Sequence, residues 1–99
     1  MTKEYKLYVP TRMNDGEPAD DVHVMVRKRL TDRFRGFTLT AVVGFWDGQS
    51  ETTMVYSVIT DIFDTEDMFG VLAQKVRTAM DQEAVLWTVQ DIQAEFFAG

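Results

Sequence analysis

The sequence predicts an α+β domain in which four antiparallel strands carry two helices on one sheet face. Three observations predict it. Apolar residues alternate with period two in several runs, and recur every three or four residues in two others. These runs follow one another as strand, helix, strand, strand, helix, strand. The whole pattern fits 99 residues with no linker or internal repeat, so residues 1–99 are read as one domain.

Residues 4–10, EYKLYVP, open the pattern. Tyr5, Leu7 and Val9 share one face, and Glu4, Lys6 and Tyr8 share the other. Pro10 lacks an N–H and marks the strand's end or edge. A loop with Asp15-Gly16 follows. Pro18 suits a first helical turn, and Asp20 and Asp21 suit the positive end of the helix dipole. Val22, Met25, Val26, Leu30 and Phe34 then make an apolar stripe, so a helix is predicted over 19–34, with Gly36 as its stop.

Residues 37–46, FTLTAVVGFW, alternate again and predict the second strand. DGQSE at 47–51 is the connecting turn, and TTMVYSVIT at 52–60 is the third strand. Asp64 or Thr65 can cap the next helix, with Glu66 and Asp67 in its first turn. Phe69, Leu72, Ala73, Val76 and Met80 form its buried stripe. Residues 83–89, EAVLWTV, are read as the fourth strand, and IQAEFFA at the end as a possible fifth.

This order is the split βαβ, or ferredoxin-like, arrangement. Right-handed crossovers place both helices on the same face. The other face is expected to carry Tyr8, Val42, Val55, Ser57 and Trp87. That set is too apolar for open water, so contact with another subunit is expected.

Composition narrows the function. Hydrophobic residues make up 45% and aromatics 12%, as in a globular protein. The chain has no cysteine, which removes disulfides, thiolate zinc sites and cysteine nucleophiles, and fits a cytoplasmic location. The first residues lack the apolar core of a signal peptide, and no run approaches the ~20 apolar residues of a membrane helix. The net charge is −6. Residues 1–35 hold eight Lys/Arg and six Asp/Glu; residues 36–99 hold two and ten. So acidic a second part argues against nucleic-acid binding and suits a cationic ligand or a basic partner.

Most motifs read as structure. His23, the one histidine, lies between two valines on the first predicted helix, and without Cys or a second His it is a structural or surface residue. Arg27, Lys28, Arg29, Arg33 and Arg35 point several ways round a helix and make a solvated face. GFWDG has the wrong spacing for a phosphate loop, and DIFDTED at 61–67 lacks the central Gly and closing Glu of a calcium loop. No metal or cofactor is expected. The remaining candidate is FWDGQSE at 45–51. There two aromatics, Phe45 and Trp46, stand beside the carboxylate Glu51 at the mouth of a hairpin, a combination that suits a cationic, aromatic ligand. Gln82, between the second helix and the fourth strand, can face that hairpin within a subunit or across an interface. A solvated turn and a helix exit account for the same residues equally well.

The segment MDQEAVLWT at 80–88 and the Glu that opens SETTMVY resemble the corresponding segments of bacteriophage S-adenosylmethionine (SAM) lyases. The resemblance spans residues 37–97 in pattern, and in residue detail Glu51, Gln82 and the QEAVL strand. It implies a PII-like variant of the ferredoxin-like fold, assembled as a trimer with substrate between subunits. It also implies cleavage of SAM to methylthioadenosine and homoserine lactone in the cytoplasm of a phage's host, which blunts restriction-modification. Glu51 and Gln82 would then be catalytic, and Phe45, Trp46, Ser50 and Tyr56 would join them in holding substrate. The spacing between Glu and Gln is shorter here than in that family, so the connecting loop differs. The competing expectation is a PII-like module that binds a small ligand or a protein without catalysis.

Overall fold

The computed structural model describes residues 2–97. Its elements are β1 (Lys3–Pro10), α1 (Asp20–Arg33), β2 (Thr38–Trp46), β3 (Gln49–Thr60), α2 (Thr65–Ala79) and β4 (Trp87–Asp91). The strands form one antiparallel sheet in the order β2-β3-β1-β4, with both helices on one face. This is the ferredoxin-like βαββαβ arrangement that the periodicity predicts, and it is consistent with the PII-like variant that the resemblance implies.

The core lies between sheet and helices. Tyr5, Leu7 and Val9 of β1 alternate inward, opposite Val58, Tyr56 and Met54 of β3. Leu7, Val9, Val26, Leu30, Tyr56, Phe69, Val76 and Met80 are wholly buried. Phe69 is the hub: its ring stacks on Tyr5 with centroids 5.3 Å apart and meets Trp87 at 6.4 Å. Burying a side chain of this size stabilises by about 1.5–3 kcal/mol.

Several details differ from the sequence reading. Trp87 belongs to the helix-covered face, not the open one, because it pairs with Leu7 and packs on Phe69. β4 begins at Trp87, four residues later than expected, since its ladder with β1 runs only from Leu7↔Trp87 to Lys3↔Asp91. Beyond it Ile92 makes a single backbone bond to Thr2, and residues 92–97 form no fifth strand. Residue 98, the last of the expected IQAEFFA strand, lies outside the described residues.

The ends of the helices also differ. α1 stops at Arg33, because the next residue, Phe34, turns into extended backbone and buries its side chain. Gly36 therefore does not act as a left-handed stop. Pro18 lies before the helix, bridged to Arg12. Asp64 does occupy the N-cap of α2, with φ of 64°, but its carboxylate pairs with Arg33 instead of capping. Thr65 turns its hydroxyl back to the Ile62 carbonyl at 2.8 Å.

The open face is mixed. Val55 is buried there, with Tyr8, Val42 and Ser57 half-buried. Toward the start of β1 the face turns polar: Ser57 donates to Glu4 at 3.2 Å, and Lys6 lies 3.8 Å from the same side chain. The basic run on and after α1 is solvent-exposed throughout.

Candidate functional site

The β2–β3 hairpin projects past the end of β1, whose last residue, Pro10, pairs with Thr53. The molecule measures 45 × 25 × 25 Å along its principal axes. The hairpin's turn is only two residues long. Asp47 and Gly48 both take positive φ, 52° and 79°. Two such residues make the turn whose twist matches a right-twisted hairpin, and Asp-Gly suits it because both tolerate that backbone. The five-residue connection expected from DGQSE is thus shorter, and Gln49, Ser50 and Glu51 belong to β3.

This register sets the site's geometry. Trp46 pairs with Gln49, Phe45 with Ser50, and Gly44 with Glu51. Side chains alternate along a strand. Val42, Gly44 and Trp46 therefore share the open face with Gln49, Glu51, Thr53 and Val55. Phe45 and Ser50 lie opposite one another on the reverse face, beyond the helices. Trp46 is 72% and Phe45 76% exposed. Glu51 is exposed and makes no ion pair or side-chain hydrogen bond among the described residues. A free carboxylate thus stands diagonally across the ladder from an indole. Such a pair can hold a cation against an aromatic wall.

Gln82 takes its place separately. The loop from α2 to β4 lies at the same end of the sheet as the hairpin, since Leu86 accepts a bond from Tyr8 near the end of β1. There Gln82 donates to Asn14 Oδ1 at 3.0 Å, while Asn14 donates to the Asp81 carbonyl at 2.9 Å. These bonds lock the loop after β1 to the exit of α2. No hydrogen bond links Gln82 to Glu51 within the protomer. Asn14 precedes Asp15-Gly16 in the loop after β1, and its partner Gln82 is 68 residues away in sequence.

Tyr56 was expected to touch ligand, but the structure makes it a core residue. It is wholly buried and offers no surface to a ligand. Its hydroxyl lies 2.5 Å from His23 Nδ1, and His23 Nε2 lies 2.8 Å from the Pro10 carbonyl. A carbonyl has no proton, so Nε2 carries the hydrogen, and in that tautomer Nδ1 accepts from Tyr56. Burial raises the Tyr56 pKa above its ordinary value, with the charge and hydrogen bonding of Arg27 opposing the shift. His23 is thereby a structural residue tying α1 to β1 and β3.

Two grooves lie on the helical side. One, of about 320 Å³, runs between α1 and α2 past Arg29, Arg33 and Val71. The other, of about 1030 Å³, follows α2 and Trp87. Neither is lined by a residue of the hairpin. Among the described residues, no three of His, Cys, Asp and Glu converge to hold a metal ion. No described helix is long and apolar enough to cross a membrane.

The fold and the exposed hairpin define a ferredoxin-like domain whose aromatic and acidic groups face outward. No family model and no curated sequence matches the chain. Among solved structures it is similar to a phage SAM lyase in complex with S-methyl-5'-thioadenosine. The two share 21% identity and a TM-score of 0.65, over 98% of this chain and 93% of the other. That likeness extends the shared fold to essentially the full length of both chains.

Proposed function

We propose that this protein is a SAM lyase of the phage type. The observation that carries the reading is the full-length likeness to a lyase holding methylthioadenosine, joined to an unpaired Glu51 beside Trp46 on the exposed hairpin. In the reaction the substrate's own carboxylate oxygen attacks its γ-carbon. The bond from that carbon to the sulfonium breaks, and its electron pair neutralises sulfur. The products are methylthioadenosine and the five-membered homoserine lactone, with the ammonium group unchanged. No proton moves and no outside nucleophile enters, so the reaction asks nothing of a metal or cofactor. The protein has to fold the substrate onto itself, and such positioning supplies several kcal/mol.

Glu51 serves as the fixed negative charge for the substrate's cationic groups. Trp46 provides aromatic surface on the same face as Glu51, and Gln82 an amide for hydrogen bonding. Phe45 and Ser50, on the reverse face of the hairpin, offer an aromatic ring and a hydroxyl toward a site shared with a neighbouring copy. One protomer presents the hairpin as a projecting surface that lines neither of the two grooves, so enclosure of substrate calls for a second copy. A homotrimer with sites between subunits meets that need, and the apolar part of the open face, around Tyr8, Val42 and Val55, suits such contact. The setting is the cytoplasm of a phage's host, where loss of SAM disarms methylation-dependent restriction. The acidic surface suits neither nucleic acid nor an anionic membrane as partner.

The test is incubation of the purified protein with SAM, followed by chromatography for methylthioadenosine and homoserine lactone. Both products should appear in equal amounts. Glu51→Gln should lower kcat/KM at least tenfold, about 1.4 kcal/mol of transition-state stabilisation. Its thermal stability should stay within about 0.5 kcal/mol of the parent, because Glu51 is exposed and unpaired. Absence of turnover at micromolar protein would remove the lyase reading and leave a non-catalytic PII-like binding module. Full activity in Glu51→Gln would remove the site while leaving the activity.

A further inference from the structure

Gly44 sits inside β2, third from its end, directly opposite Glu51. Nothing within the protomer calls for glycine there. Its φ lies outside the left-handed region that Gly16 and Gly48 occupy. A Cβ built on it would meet the Glu51 carbonyl oxygen and the Thr53 hydroxyl at 3.8 Å, ordinary contact distances. Glycine inside a strand weakens it, and commonly marks a close approach of something else to the backbone.

What glycine leaves at this position is a bare strip of backbone. Val42 and Trp46 flank it on the same face of β2, and Glu51 faces it across the ladder. Directly opposed side chains in an antiparallel pair stand about 5 Å apart, so Glu51 borders one vacant side-chain position. β2 is an edge strand, and no further strand supplies side chains over the gap.

We infer that Gly44 is a specificity-determining residue: its bare backbone is the floor on which the flat ring of a purine nucleoside sulfonium lies, with Trp46 as the side wall and Glu51 toward the positive charge. This rests on the lyase reading and goes beyond it by separating recognition of the ring from recognition of the charge. A side chain at position 44 would lift the ring from the floor and leave Glu51 in place.

The experiment compares Gly44→Ala, Gly44→Val and Glu51→Gln with the parent. It measures kcat and KM for SAM, inhibition by methylthioadenosine, and oligomeric state by sedimentation. Methylthioadenosine carries the ring without the charge. Gly44→Val should raise KM for SAM and the methylthioadenosine inhibition constant together, at least tenfold, with Gly44→Ala between it and the parent. Glu51→Gln should weaken SAM turnover and leave methylthioadenosine inhibition within about threefold of the parent. The alanine variant keeps the test open if valine perturbs the hairpin, since its Cβ fits at 3.8 Å. Unchanged KM and inhibition in both Gly44 variants would overturn the inference with the lyase reading intact. Loss of oligomers in both would assign the strip to a neighbouring copy and overturn it too. A parent protein inert toward SAM would remove the lyase reading, and this inference with it.

Discussion

Replacing His23 by alanine should destabilise the domain by about 2–4 kcal/mol. His23 is 7% exposed and makes two hydrogen bonds, from Nε2 to the Pro10 carbonyl and with the Tyr56 hydroxyl. Alanine removes the partner of both groups. A buried polar group left unsatisfied costs about 1–3 kcal/mol. Two of them set an upper figure near 6 kcal/mol, and water entering the space of the lost ring offsets part of it, because both orphans are polar. For a domain of this size about 4–8 °C of Tm corresponds to each kcal/mol, so the fall should be roughly 10–30 °C. The decisive assay is a double-mutant cycle with Tyr56→Phe, by urea denaturation at one fixed protein concentration. In the parent Tyr56→Phe strands the Nδ1 acceptor, whereas in His23→Ala it removes an orphaned hydroxyl. The two changes together should therefore destabilise by at least 0.5 kcal/mol less than the sum of the singles. Additive losses, or a loss below 0.5 kcal/mol for His23→Ala alone, would refute the buried network.

Two further outcomes follow from the core. Tyr56 has a folded-state pKa raised by burial, so the folded protein holds that proton at pH values where the unfolded chain releases it. Its stabilising contribution is fully present below about pH 10 and is lost as pH rises through the folded value. Tm should fall on titration from pH 9 to 11, with a smaller slope in Tyr56→Phe. Phe69→Ala empties a wholly buried site between Tyr5 and Trp87, and should destabilise by about 3–5 kcal/mol in chemical denaturation and alter the emission of Trp87.

The sequence by itself determined the architecture. Period-two alternation in β1 and β3 marks Tyr5, Leu7 and Val9, and Met54, Tyr56 and Val58, as one face, and that is the face the helices cover. Spacings of three and four mark Phe69, Leu72, Ala73 and Val76 as the buried stripe of α2. That the chain turns at Asp47-Gly48 was legible because these residues accept positive φ in succession, though not that the connection stops there instead of running to Glu51. Such signals are local: they depend on which way a side chain points along its own element.

Tertiary structure decided what depends on a distant partner. β4 starts at Trp87, not at residue 83, because the chain before it leaves the ladder although β1 runs on to Pro10. Leu86 accepts one last bond from Tyr8, and residues 92–97 lie beyond the start of β1. Trp87 lies on the helix side by its register against Leu7, which no periodicity within a five-residue strand reveals. His23 lies 33 residues from Tyr56, so a lone histidine between valines carried no sign of its hydrogen bond. The candidate site divides in the same way. That Glu51 and Trp46 belong to one hairpin is written locally. That they share a face across a bare Gly44, while Gln82 bonds to Asn14 in another loop, follows only from strand register and chain packing.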